Sequence, residues 1–317
     1  MRSHSDPATD APSTDPGRAG HPGPGGPADR GAPGGPADPA GPGTLATPTG
    51  WALPIITVLG TAAAIVAAFF GSGALGGTPI AEAAGGVLSA DATPVAPAGS
   101  AFSIWSVIYI GLAAYALWQL TPTARRSVRQ AALRPWALAS VLLNAAWVWA
   151  VQLELILGSV IVIALLLAVL VRIMYVLAAP RIGGVLESVV TDGTFGLYLG
   201  WVSVAFFANT FAWLASAGVD VVTGVPFGIV GIVVAAAVGV ATALISGGRI
   251  PPALATSWGL AWVAFGRTSG EHESAALVGA AAVASVVVVA VALVRRLTGL
   301  RRERGRGAAD RGARQPV

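Results

Sequence analysis

Neither cysteine nor lysine occurs anywhere in the 317 residues. Without cysteine the chain can form no disulfide, no thiolate nucleophile and no cysteine-bound metal. Histidine is confined to His4, His21 and His272, in the N-terminal tail or a loop, and Met174 is the one methionine after Met1. Charge is scarce as well: charged residues make up 11% of the chain, where a soluble domain carries about 25%. Hydrophobic residues reach 55% and mean hydropathy is +0.72, the composition of a polytopic membrane protein. The basic charge is therefore all arginine. It crowds at the C-terminus, where Arg295 to Arg314 supplies eight arginines against Glu303 and Asp310. Such a tail reads as a cytoplasmic membrane-surface anchor rather than a nucleic-acid site.

Residues 1–50 hold 11 prolines and 11 glycines, with Gly-Gly-Pro-Ala-Asp at 25–29 and again at 34–38. This segment cannot bury enough apolar surface to offset its ordering entropy, so a disordered tail is expected. It has no apolar core and is not a signal peptide. Beyond it, a ruler of about 20 apolar residues per crossing predicts spans near 51–71, 102–120, 135–152, 156–178, 194–216, 225–246, 252–266 and 274–295, the seventh being short. Arg125, Arg126, Arg129 and Arg134 follow the second span, Arg181 the fourth, Arg249 the sixth and the arginine tail the eighth. Loops 72–101, 153–155 and 217–224 contain none, and only Arg267 breaks the alternation. The positive-inside rule then predicts both termini in the cytoplasm, with a bacterial plasma membrane as the setting. Arg172 lies about one and a half turns from the end of its span and is expected to snorkel. In loop 72–101, Thr78-Pro79 reads as a helix start with Ile80, Val87 and Leu88 on an apolar side. A short helix over the mouth of the bundle is predicted, with a simple tether as the alternative.

Three spans carry aromatic faces. In the fifth, Tyr198, Trp201 and Asn209 fall within roughly 80° of one another, with Trp213 beside them. Phe102, Trp105, Tyr109 and Leu112 share a face of the second, and Ser140, Asn144 and Trp147 a face of the third, from which Trp149 points away. An amide in hydrocarbon without a partner costs a few kcal/mol, so these stripes are expected to face protein, water or a ligand. Together they predict a flat apolar cavity with a few polar contacts. The competing reading is that the asparagines bridge helices and the tryptophans form an interfacial belt, which is the expectation for Trp51, Trp118 and Trp136. Near mid-membrane no predicted face carries histidine, cysteine or a carboxylate. Axial haem ligation is therefore disfavoured except through a tyrosine such as Tyr109 or Tyr198. Proton-coupled transport lacks its usual intramembrane relay, and no catalytic constellation is visible, so an enzyme is not expected.

These residues carry a resemblance to the tryptophan-rich sensory protein family, the TspO or translocator-protein (peripheral benzodiazepine receptor) family. Its fifth helix typically reads Pro-Tyr-x-x-Trp, with an asparagine eight residues on and a tryptophan four further; Tyr198, Trp201, Asn209 and Trp213 keep those spacings. Leu143, Asn144 and Trp147 match the third-helix motif, and Trp105 and Tyr109 the second, after Pro94 and Pro97. The resemblance covers about residues 51–217. It implies a five-helix bundle, often a homodimer, that binds porphyrins or other flat hydrophobic molecules and takes part in tetrapyrrole handling or stress signalling. It places Trp105, Asn144, Trp147 and Trp201 around the ligand with Asn209 beside it, under a lid formed by the loop before the second helix. Phe102-Ser-Ile-Trp105 is one residue shorter than the family's approach to that helix, and Leu197 stands where a proline is usual. Thr210, Phe211 and Leu214 occupy the region of the sterol motif, so sterol binding is not expected.

The sequence thus predicts an all-α polytopic membrane protein of about eight transmembrane helices. Its parts are a tail (1–50), a TspO-like bundle (51–217), three further helices (218–297) and a basic tail (298–317). The expected ligand site comprises Phe102, Trp105, Tyr109, Asn144, Trp147, Tyr198, Trp201, Asn209 and Trp213. No cofactor is required, and a tetrapyrrole such as protoporphyrin is the expected ligand. Expected partners are that hydrophobic small molecule and the lipid bilayer, with no nucleic acid. The alternative is a transporter or exporter of a small hydrophobic molecule. Trp258 and Trp262 share a face of the seventh span and are expected to pack rather than to extend the cavity.

Overall fold

The computed structural model describes residues 50–73 and 78–312, with side chains as far as Arg301. The predicted N-terminal tail and the end of the basic tail lie outside the described residues. All regular elements among the described residues are helical: α1 (Ala52–Gly71), α2 (Ile104–Trp118), the short α3 (Pro122–Arg126), α4 (Val128–Gln152), α5 (Ile156–Val176), the single turn α6 (Gly184–Glu187), α7 (Thr194–Ser216), α8 (Val225–Ile245), α9 (Ile250–Gly266) and α10 (Ala275–Gly312). Seven stretches, containing α1, α2, α4, α5, α7, α8 and α10, are long and apolar enough to cross a membrane. At 17 residues, or about 26 Å, α9 falls just short of that length. It packs against α7, α8 and α10, so the described residues form eight principal helices.

Side-chain packing divides into two apolar clusters. One joins α1, α2, α4, α5 and α7 around Ile108, Leu133, Leu166, Tyr198 and Trp201. The other joins α8, α9 and α10 around Ile232, Leu260, Leu277 and Val288. The seam between them is the crossing of α7 and α9, and glycine makes it possible. A Cβ on Gly200 would collide with the carbonyl oxygen of Pro252, and one on Gly196 would sit 2.8 Å from Pro251 Cβ. The small-xxx-small pair Gly196/Gly200 thus lets the Pro251-Pro252 first turn of α9 lie directly on the α7 backbone. From the other side, a Cβ on Gly259 would come 2.9 Å from Val204.

Two expectations change at the arginine-rich end. The third span was predicted to begin at 135, yet α4 begins at Val128, where the Ser127 hydroxyl accepts the Gln130 amide at 3.2 Å, and Pro135 sits inside the helix. Arg129 and Arg134 are therefore helix residues, and both are buried. Arg134 donates to the Gln119 side chain (2.9 Å) and the Ala124 carbonyl (2.8 Å). Arg129 donates to Glu187 (2.6 Å), Asp192 (2.8 Å) and the Leu177 carbonyl (2.9 Å). Gln130 adds a donor to Glu187, and Arg249 pairs with Asp192 at 2.6 Å. Glu187 and Asp192 lie on α6 and a wider π-type turn (Ser188–Gly193) leading into α7. This cluster binds α4, α7 and the approach to α9 into one unit. Trp118, expected in the interfacial belt, is buried beside Gly183, whereas Trp51 is exposed with Arg125 stacked 3.7 Å above its ring. Arg172, expected to snorkel, holds its guanidinium 5.5 Å over the Trp136 ring.

Candidate ligand-binding site

The described part of loop 72–101 closes the other end of the bundle, but not as the predicted helix. Pro79 does start a turn, its carbonyl accepting the amides of Glu82 and Ala83 at 2.9 Å. The winding then stops, because Ala84, Gly85 and Gly86 turn to positive φ (51°, 68° and 80°), where a helix cannot continue. Linked turns carry the chain to Pro97, and a tight turn at Gly99–Ser103 sets the start of α2.

This lid is held on both sides. Gln152, at the end of α4, donates to the carbonyls of Gly71 (2.6 Å) and Thr78 (2.8 Å). Arg267, just past α9, donates to the carbonyls of Thr93 (2.9 Å) and Ala90. The Ala98 amide reaches the Trp262 carbonyl (3.1 Å), and the Trp258 indole reaches the Ala101 carbonyl (3.0 Å). Trp258 and Trp262 therefore pack, pinning the lid rather than extending the cavity. Burial lowers the Arg267 guanidinium from its usual pKa, an effect the Asp91 carboxylate opposes, and it remains charged at any physiological pH. The arginine that interrupts the loop-charge alternation is thus the lid's clasp. Charged-donor hydrogen bonds contribute about 1.5–3 kcal/mol each. Arg267→Met is expected to raise hydrogen exchange at the Ala98 amide at least tenfold while α4 amides stay unchanged, which residue-resolved exchange would check.

Beneath the lid, Trp105 is the hub of an aromatic cluster. Its ring stacks on Tyr109 at 5.3 Å and meets Tyr198 and Trp201 edge-on at 5.7 and 6.4 Å. Phe102 stands edge-on to Trp201 at 5.6 Å, and Phe69 of α1 lies 5.6 Å from Tyr109. Two cavities flank this cluster. The larger, about 330 Å³, lies between α1, α2 and α4 and includes Phe69, Ile80, Phe102, Trp105, Tyr109 and Trp147. The smaller, about 30 Å³, lies directly under Val87, Leu88 and Thr93 against Trp147, Trp201 and Asn209. Phe102, Trp105 and Trp147 line both and form the partition between them.

The polar atoms divide into satisfied and orphaned. The Asn209 amide bridges helices, accepting Trp147 Nε1 at 3.0 Å and donating to Ser159 Oγ at 2.9 Å. Tyr198 lies beneath as a floor, its hydroxyl on the Ser140 carbonyl at 3.0 Å. Asn144 donates to the Tyr109 hydroxyl at 2.9 Å, while its Oδ1 is buried with no partner among the described residues. Trp201 Nε1 is likewise buried and without a partner among the described residues, on a side chain 1% exposed. Of the nine predicted residues, six line the cavities and Asn144 and Tyr198 back them. Trp213 is half-buried near the end of α7 and lines neither. Sequence reasoning missed Phe69, the Ser159 partner and the Arg267 clasp. Ser159 had left a signal, being the lone hydroxyl in the otherwise aliphatic first half of α5.

The fold and site together define a class: an integral membrane protein of packed helices with a lidded aromatic cavity at one end. A family model described as TSPO-like protein matches residues 55–295, and the chain belongs to that family. The match continues past residue 217, where the resemblance seen in the sequence ends, and takes in α8, α9 and α10. No curated protein and no solved structure matches.

Proposed function

We propose that the protein binds a flat hydrophobic ligand of the tetrapyrrole class between Trp105, Trp147 and Trp201, in a sensory or carrier role. The observation that carries this reading is the unpartnered Trp201 indole N–H on an aromatic wall. A buried donor left open costs about 1–3 kcal/mol, and a ring-edge acceptor would remove that cost. The orphaned Asn144 oxygen offers a second contact, an acceptor for a pyrrole N–H. Asn209, already committed to Trp147 and Ser159, holds the wall rather than the ligand. A volume of about 330 Å³ sits at the small end of ligand sites, which run from about 300 to 1,000 Å³, and a macrocycle exceeds it. Binding therefore displaces the Phe102–Trp105 partition or lifts the lid, and α9 controls the lid through Arg267.

Below the site the bundle is filled by Tyr198, Tyr115 and Phe195, all buried, which favours holding a ligand over passing it through to the other end. The arginine-rich end faces the cytoplasm in this reading, and the lid faces out. Fluorescence titration with protoporphyrin in detergent, corrected for the ring's own absorption, tests it. Saturable quenching is expected, with Trp201→Phe weakening affinity roughly tenfold through the lost N–H and Trp201→Leu weakening it further. Unchanged affinity in both folded variants would overturn the assignment.

A further inference from the structure

At the arginine-rich end, away from the lid, α5 and α8 both lean on α7 and leave a trough of about 420 Å³ between them. Its walls include Met174 and Tyr175 of α5, Leu199 of α7, and Val238 and Thr242 of α8, and Arg249 lies at its end. Tyr175 is 63% exposed and Ile245 76%, so the trough opens sideways where lipid would lie. Arg249 is held in place, with one N–H on Asp192 at 2.6 Å and another on the Leu177 carbonyl. Its side chain keeps 24% exposure, and among the described residues its remaining N–H groups have no partner. The charges around it do not cancel. Arg129, Arg181 and Arg249 face Glu187 and Asp192, a surplus of one positive charge. Asp192 Oδ2 lies 3.8 Å from Arg181, so the acid's second oxygen is drawn to another cation.

We propose that this trough binds one anionic phospholipid, with an acyl chain along Met174, Leu199 and Val238 and its phosphate on Arg249. An apolar slot gives a soluble anion nothing to bury, and a fixed guanidinium favours a headgroup of net negative charge over a zwitterionic one, whose ammonium offsets its phosphate. Basic pockets between transmembrane helices select acidic headgroups on the same principle. Ser246, whose hydroxyl accepts the Arg249 backbone amide at 3.3 Å, fixes the turn that presents the arginine.

The test uses the delipidated full-length protein in native mass spectrometry, with phosphatidylglycerol and phosphatidylcholine of matched chains. One retained phosphatidylglycerol is expected, preferred over phosphatidylcholine, and Arg249→Gln should cut that preference roughly fivefold. Because Arg249 also holds Asp192, a second variant, Val238→Trp, fills the slot and leaves the ion cluster untouched. It should abolish retention with the unfolding temperature unchanged. Equal retention of the two lipids by the wild type would overturn the proposal, as would full retention by Val238→Trp. Displacement by glycerol phosphate alone would assign Arg249 to a soluble anion and also overturn it.

Discussion

Arg129→Met is expected to destabilise the folded protein by about 3 kcal/mol, the lower part of the range for breaking a buried ion pair. Its side chain is 1% exposed, and it makes the 2.6 Å pair with a Glu187 that is 0% exposed. Removing it leaves a carboxylate sealed from water. The loss is held to that lower part by the donors that remain. Gln130 and the amides of Ile182 and Gly183 still reach Glu187, and Arg249 still reaches Asp192. Glu187→Gln in the Arg129→Met background removes the stranded charge and should restore about 1–2 kcal/mol, a coupling typical of contacting residues. Chemical unfolding of the four proteins in one detergent checks this, and strict additivity would show that the pair carries no coupling.

The second large effect is expected at Gly200. With alanine there, Cβ would collide with the Pro252 carbonyl oxygen and lie 2.9 Å from Ala255 Cβ. The obstacle is backbone and cannot rotate away. Overpacking of this kind costs about 1–3 kcal/mol for small additions. Gly200→Ala should lower the unfolding temperature and slacken the lid, because the α9 it displaces carries the bonds from Trp258 and Trp262 and leads to Arg267. Gly200→Leu should fail to assemble, giving aggregate on size exclusion. A control is Gly279→Ala, where an added Cβ meets nothing within 4 Å, and stability should not fall.

How much of this was legible in the sequence depended on how far apart the interacting residues lie. α7 was predicted at 194–216 and is found there, because an apolar run bounded by polar turns is a local signal. The aromatic faces were legible for the same reason: one helix's own periodicity puts Trp105 with Tyr109 and Tyr198 with Trp201. Periodicity fixes direction around the axis but not depth along it. Trp213 thus falls beside the stripe of Tyr198, Trp201 and Asn209 yet lies beyond the cavity. What stayed hidden was pairing across the chain. Arg129 meets Glu187 58 positions away, and Arg267 meets Thr93 174 positions away. To a rule that counts loop charges, these arginines are loop residues. To the fold, Arg129 is a buried cross-link and Arg267 a clasp. The apolar run starting at 135 marked only the later part of α4, which Ser127 begins two turns earlier with Pro135 inside the helix.

The lid's fastening has a bearing on how such a site could change. Gln152 and Arg267 grip the lid by the carbonyl oxygens of Thr78, Ala90 and Thr93, Gln152 also ties it to the Gly71 carbonyl at the end of α1, and Trp262 takes the Ala98 amide. Every residue offers a carbonyl oxygen, and every residue but proline an amide N–H. The anchorage is therefore blind to side chains, and Val87, Leu88, Ala92 and Ala96, which meet the cavity, can be exchanged without loosening it. Ligand preference and closure are separable in this architecture, as in a picture frame that accepts different glass.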